Sequence, residues 1–353
     1  MIRNTDASAS LRDLNVAGGD LALVGGKGCQ DPAEPSTLRQ YRTHIDQHIV
    51  PEFVGVRLSD LTAARVRGFR DHLLRSTSRP MAKKVLTSFK SILREAKSRD
   101  LLASDPASGV TIVGSGSGRH RKEVVIPEKA EIASVLAKLG ELASQSNKQR
   151  AKAWRRWQAL LVTAIDTGFR ASELRGLPWD GVDLKDGKAT VKQRADENGD
   201  LGSPKSGSSL RTLDIPKRLV AILRQWKLEC PPGPLVFPNW QGNVESLANI
   251  HNRCWKPLQL AAGLSVTAKD EEGKTIRDDR GKPVKVPKYN FHALRHFHAS
   301  LLIDDGANPK EVQVEMGHAT ITVTYDLYGH LFKDEAADKI RKARAERLAT
   351  ALA

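Results

Sequence analysis

Cysteine is scarce in this 353-residue chain: Cys29, Cys230 and Cys254 are odd in number and never spaced as CxxC. That argues against a disulfide framework and a cysteine-bound zinc, and it fits a reducing, cytoplasmic setting. Long hydrophobic runs are missing as well. The longest purely apolar stretches are four or five residues, such as LALV, too short for a spanning helix, so no membrane partner is expected. The N-terminal MIRNTDASAS lacks the apolar core of a signal peptide. No internal repeat is evident.

Nucleotide loops are absent in any complete form. VGGKGC has Gly28 after Lys27 where a P-loop needs Ser or Thr, and no glycine stands five before Gly26. TIVGSGSGRHRKE places glycines after an apolar run, but the third comes one position early and a charged, proline-punctuated stretch follows. It reads as a flexible linker.

Basic charge, by contrast, is abundant. Lys and Arg total 56 against 41 Asp and Glu, a net charge of +15 with a pI of about 9.8. At 40% hydrophobic the chain can still bury a core in each of two domains. A polyanion is therefore the first partner to consider; an anionic membrane surface comes second and is not the expected one.

Residues 1–35, rich in Gly, Asp, Ala and Ser, read as extension or loop. Residues 36–112 read as all-helical, with Ser36 capping a first helix, Thr62 a second and a third over about 79–99. On that third helix Lys83, Lys90, Arg94 and Lys97 fall within an arc of about 60° at 100° per residue. Val85, Phe89, Ile92 and Ala96 fill the opposite arc. A charged stripe is ordinarily a solvated face, but this one carries no acidic partner and suits a row of phosphates.

A second domain is expected over 127–345, after a linker at 113–126 and before a tail at 346–353. PEKAEIASVLAKLGEL and WRRWQALLVTAIDTG read as helices, the latter ended by Gly168, and RASELRGLPW as a short helix after it. VDLKDGKATVKQRAD and SLRTLDIP read as strands, with a turn at Asp186–Gly187. Helices return over 217–228, 244–262, 290–304, 309–316 and 320–328, and the charged 265–288 segment reads as a hairpin or exposed loop. The fold class is mainly α with a small antiparallel β-sheet.

Separated segments of this domain offer groups suited to a phosphodiester. They are Arg170 beyond the helix-ending Gly168, Lys205 in GSPKSGSS, His292 and Arg295 in FHALRHF, His318 after Gly317, and Tyr325 and Tyr328. Two arginine forks with histidine donors can clamp a phosphate without a metal, and a tyrosine hydroxyl can then attack it. A phenol of ordinary pKa about 10 needs help losing its proton, and the departing sugar oxygen needs one supplied by lysine or histidine. His292, His296 and His298 invite a metal reading. The segment lacks HExxH, and an arginine among the would-be ligands repels a cation. Metal and cofactor are both expected to be none, and His296 and His298 read as core or supporting residues. Singly, each of these groups has an ordinary surface or packing reading. Spacing alone does not choose between Tyr325 and Tyr328, which share a helix face.

Taken in order, TGFRASELRGLPW, PKSGSSLRTLDIP, FHALRH and MGHATITVTYDLYGH resemble the tyrosine recombinases, specifically the phage-type integrases, from Pro127 to about His330. STLRQYRTHIDQHIVPEF, within the helical 36–112 segment, resembles the family's core-type DNA-binding domain. The resemblance implies that Arg170 and Arg295 hold the scissile phosphate, that Lys205 protonates the leaving 5′ oxygen, and that His292 and His318 bond the phosphate and assist proton transfer. Glu173, in an R-x-x-E pattern, becomes an accessory to Arg170. The Tyr-x-His ending makes Tyr328 the nucleophile and leaves Tyr325 as core or support. No complete arm-binding domain is expected within residues 1–35.

The activity so implied is site-specific cutting and rejoining of double-stranded DNA through a 3′-phosphotyrosine, without ATP or metal, to integrate or excise a phage or mobile element. The implied assembly is a homotetramer on DNA, monomeric free in solution, with accessory DNA-bending or directionality proteins. Rival readings are a non-catalytic DNA-binding protein, a type IB topoisomerase and a metal-dependent nuclease.

Overall fold

In the computed structural model the described residues are 35–113, 124–204, 207–270, 272–332 and, near the C-terminus, 343, 344, 347, 349 and 350. The chain divides into two compact units, Met1–His120 and Arg121–Ala353.

The first unit is helical. Its helices are α1 (Pro35–His44), α2 (Ala63–Ser76) and α3 (Arg79–Ser98). Ser36 lies inside α1 instead of preceding it as a cap. Thr62 does cap α2, its hydroxyl accepting from Arg65 N, which satisfies one of the helix's unpaired donors. Beyond α1 the chain widens into a π turn at Ile45–Ile49 and tightens into a 3₁₀ turn at Val50–Phe53. Pro51 has no amide hydrogen to keep a regular ladder there. Phe53, Phe69 and Phe89 meet with ring centroids 4.9–5.2 Å apart and form the centre of this core. On α3, Val85, Phe89, Ile92 and Ala96 are buried, while Lys83, Arg94 and Lys97 are exposed and Lys90 is half-buried.

The second unit builds its core on two helices, α4 (Lys129–Ser144) and α5 (Lys148–Thr167), whose C-terminal half is buried, followed by the short α6 (Ala171–Gly176). Three strands, β1 (Val182–Asp183), β2 (Lys188–Val191) and β5 (Arg211–Asp214), make an antiparallel sheet in that order. A separate hairpin pairs β3 (Arg194–Ala195) with β4 (Leu201–Gly202). Helix α7 (Lys217–Glu229) packs on α5. Next come α8 (Leu247–Asn249), a π turn at Ile250–Trp255 and α9 (Lys256–Ala261), the register break again preceding a proline, Pro257. The expected 244–262 helix therefore starts only after Ser246, whose hydroxyl accepts from Asn249 N.

The 265–288 segment forms an antiparallel ribbon closed by β6 (Ser265–Thr267) and β7 (Lys285–Pro287). It contains a tandem repeat that the sequence reading missed, KDEEGKTI over 269–276 and RDDRGKPV over 277–284. In each copy the Asp oxygen accepts two amides: Asp270 from Glu272 and Lys274, Asp278 from Arg280 and Lys282. Asp196 and Asn239 close the same turn elsewhere, which is why four tips carry one Asx-x-x-Gly signature. The unit ends with α10 (Ala293–Asp304), α11 (Pro309–Met316) and α12 (Ile321–Tyr328). Mainly helical with small antiparallel sheets, the architecture is the expected class.

Candidate active site

The C-terminal end of α11 organises the site. A helix end leaves its last carbonyls without partners and carries partial negative charge. Here three successive carbonyls take three arginines from three different segments. Glu315 O accepts from Arg211 Nε at 2.7 Å, Met316 O from Arg295, and Gly317 O from Arg170 at 2.9 Å. Arg295 also donates to Gly168 O at 2.6 Å, tying α10 to the end of α5.

Two glycines make this approach possible. Gly168 (φ +59°) and Gly317 (φ +61°) end their helices in the left-handed region. A Cβ on Gly168 would stand 2.7 Å from His298, and one on Gly317 2.9 Å from the Arg211 guanidinium.

Glu173 sits between two of the arginines. Its carboxylate accepts from Arg170 N at 2.9 Å and the Arg170 side chain at 2.7 Å, and from Arg211 at 2.9 and 3.3 Å. Burial opposes its ionisation, yet the charges and hydrogen bonds of Arg211, with Arg170, hold its pKa below the ordinary range. It is more than a helix-stabilising charge.

Arg211 was absent from the expected set. Its signal was legible: β5 alternates buried and exposed, and Arg211 occupies a buried position, where a guanidinium demands a carboxylate partner. It also lies over the Phe169 ring, 5.0 Å from its centroid.

His318 is buried, with Nδ1 2.9 Å from the Thr324 hydroxyl. Burial, then the nearby Arg295, Arg170 and Arg211, push its pKa down to about 3, so it stands neutral near pH 7. The Tyr328 ring stacks over it at 6.2 Å and is fully buried. Desolvation raises the phenol to about 12, against the pull of Arg295 and Arg170. Its hydroxyl lies 2.7 Å from His296 Nδ1, and His296 in turn meets the His292 ring edge-on at 4.7 Å. His292 is exposed.

Thus Arg170, Glu173, Arg295, His318 and Tyr328 are brought together, with His292 adjoining through His296. Lys205 lies outside the described residues. Tyr325 is corrected: at 52% exposure, tilted against Phe332, it is not core. His298 is core, with Nδ1 donating to Ile165 O. Among the described residues no group of His, Cys, Asp or Glu is arranged to hold a metal.

The sequence profile of the Phage integrase family matches residues 129–335, more than half the chain and all of this site. The chain belongs to the phage integrase family. It is a tyrosine recombinase, an enzyme that cuts and rejoins DNA at specific sites. Among curated relatives, the XerC-like tyrosine recombinase of Caldanaerobacter subterraneus subsp. tengcongensis is 24% identical, covering 87% of the recombinase and 77% of the relative. The ICEBs1 integrase of Bacillus subtilis is 22% identical, covering 88% and 79%. In fold, the recombinase is similar to the Tn1549 transposon integrase solved with a circular intermediate DNA (TM-score 0.63, 16% identity, 90% and 95% covered). It is likewise similar to a lambda integrase dimer bound to a core site (TM-score 0.61, 17% identity, 93% and 79% covered). No helix among the described residues is long and apolar enough to cross a membrane.

Proposed function

We propose that this recombinase integrates or excises a phage or mobile element in a bacterial cytoplasm, with Tyr328 attacking a phosphate of double-stranded DNA. Arg170 and Arg295 grip the non-bridging oxygens. Each guanidinium has five N–H donors and spends only part of them on carbonyls and Glu173, leaving others for an anion. His318 and His292 complete the clamp, Lys205 supplies the proton to the departing 5′ oxygen, and Arg211 positions Glu173. Attack leaves a 3′-phosphotyrosine. The 5′-hydroxyl of a partner duplex then displaces the tyrosine. The covalent link conserves the phosphoester, so the step needs neither ATP nor metal.

The observation that carries this reading is the placement of Tyr328. Its ring stacks on His318 among Arg170 and Arg295 of its own chain, which favours cleavage in cis. The first unit adds sequence-tolerant phosphate contacts through Lys83, Lys90, Arg94 and Lys97, with 36–112 as the core-type DNA-binding domain, 113–126 as linker and 127–345 as catalytic domain. A lambda integrase tetramer has been solved on a Holliday junction, and four protomers on two duplexes is the assembly proposed here, monomeric without DNA and steered by accessory bending or directionality proteins.

The test is a nicked suicide duplex incubated in EDTA and resolved under denaturing conditions. Wild type and Tyr325→Phe form a covalent protein–DNA adduct, and Tyr328→Phe forms none. The opposite pattern moves the nucleophile, and cleavage that leaves no covalent adduct and is abolished by EDTA points to a metal nuclease.

A further inference from the structure

We propose that His296 is a catalytic residue, the base that takes the proton from Tyr328 as its oxygen attacks the phosphate. This rests on Tyr328 being the nucleophile.

Helix α10 places His292 and His296 four residues apart on one face and leaves Arg295 pointing to the carbonyls of Gly168 and Met316. In the tautomer protonated at Nε2, the 2.7 Å contact has the Tyr328 hydroxyl donating to the bare Nδ1 of His296, and the proposal takes that tautomer. Burial first, then His292 and Arg295, hold the His296 pKa near 4, so the ring is neutral and has one bare nitrogen able to accept. The phenol, itself pushed to about 12, donates. The other charged or titratable groups facing this pair are Arg170 and Arg295, which favour a phenolate, and His292 and His318.

In the step, the phenol proton passes to Nδ1 while the phenol oxygen bonds phosphorus. The bond from phosphorus to the 5′ oxygen breaks, and that oxygen takes its proton from the site's acid, for which Lys205 is the candidate. Ligation runs in reverse, the imidazolium returning its proton to the leaving Tyr328 oxygen. An imidazolium beside two arginines is disfavoured until a phosphodiester brings negative charge, so the transfer is coupled to an occupied site.

The test uses the full chain on nicked duplexes carrying either an ordinary phosphate or a 5′-bridging phosphorothiolate, whose sulfur leaves without a proton. Asparagine can accept a hydrogen bond in place of Nδ1 but cannot hold the proton. His296→Asn and His296→Ala are both expected to slow adduct formation about 100-fold or more on both substrates. An Asn variant within about threefold of wild type, or recovery of either variant on the thiolate, overturns the proposal. Wild type supplies a measurement that depends on no variant. Its rate on the thiolate is flat from pH 6 to 9 if His296 is the base, and a tenfold rise per pH unit, as for removal by hydroxide, refutes it. An adduct that persists in Tyr328→Phe would instead sink the nucleophile assignment, whatever His296 does.

Discussion

Glu173→Gln is the most searching perturbation of this site. The side chain is 2% exposed and is a carboxylate shared by Arg170 and Arg211, with the Arg295 guanidinium also nearby. Glutamine keeps the shape, removes the charge and turns an amide N–H toward guanidinium donors. Removing one partner of a buried ion pair costs about 3–5 kcal/mol, because the remaining charges stay buried without compensation. Removing both is far cheaper, so Glu173→Gln with Arg211→Met should cost well below the sum of the single losses, with a coupling of about 1–3 kcal/mol. The assay is urea unfolding followed by tryptophan fluorescence. Trp154, Trp157, Trp179, Trp226, Trp240 and Trp255, all six tryptophans, lie in the second unit, so the signal isolates its transition from that of the first. Adduct formation should fall at least tenfold in Glu173→Gln, since Arg170 loses the carboxylate that orients it. A single-variant cost under about 1 kcal/mol, or strict additivity in the cycle, would refute the network as the element that holds the arginines.

Gly168→Ala should lower stability by about 1–3 kcal/mol, measured by thermal unfolding, since a left-handed residue would drive its Cβ into His298. Acid should also be costly. Burial holds His298 at about 4 and His318 at about 3, below the ordinary 6.5. Above pH 6.5 folded and unfolded chains are alike at these groups. Below it the unfolded chain gains protons the fold refuses, so stability falls as pH drops from 6.5 toward 4, by about 3 kcal/mol for His298 alone. Urea midpoints that stay level across that window would contradict this. For the α3 stripe, each of Lys83→Ala, Lys90→Ala, Arg94→Ala and Lys97→Ala should reduce the slope of log binding constant against log salt by about 1, equally on specific and unrelated DNA.

Much of this was legible because local rules and tertiary needs agreed. Asn308, Pro309, Glu311 and Gly317 give α11 both of its ends, with a capping box at one and a left-handed glycine at the other. Thr62 does the same for the start of α2. The Asp186–Gly187 turn joins β1 to β2 as expected. Where the reading failed, the cause was non-local or hidden by composition. Ser36 has the chemistry of a cap, but Pro35 suits the first turn better and the helix begins there. The twin turns at Asp270 and Asp278 were obscured because their period of eight is short and their charges differ. Arg211 is hidden in the sequence as one basic residue among many. The partnership of His296 with Tyr328 spans 32 positions, and helical spacing on α10 cannot reveal what lies across from it.

The arrangement also suits the site to an anion, as the proposed function requires. Ordinarily a helix end of unpaired carbonyls is satisfied by water or a glycine turn. In this unit the end of α11 is satisfied by arginines, and that choice fixes their positions before any substrate arrives. Among the described residues at the site, Arg170 and Arg211 share the carboxylate of Glu173, and Arg295 feels its charge without bonding it. The nearby histidines His296, His298 and His318 are held neutral and so add no positive charge. The excess positive charge is therefore built into the fold's own hydrogen bonding, where it cannot relax by moving side chains apart. In the proposed function, a phosphodiester entering between Arg170 and Arg295 relieves that excess. On the mechanism proposed above, the same contacts that secure the end of α11 set the electrostatic stage on which the Tyr328 oxygen becomes a nucleophile.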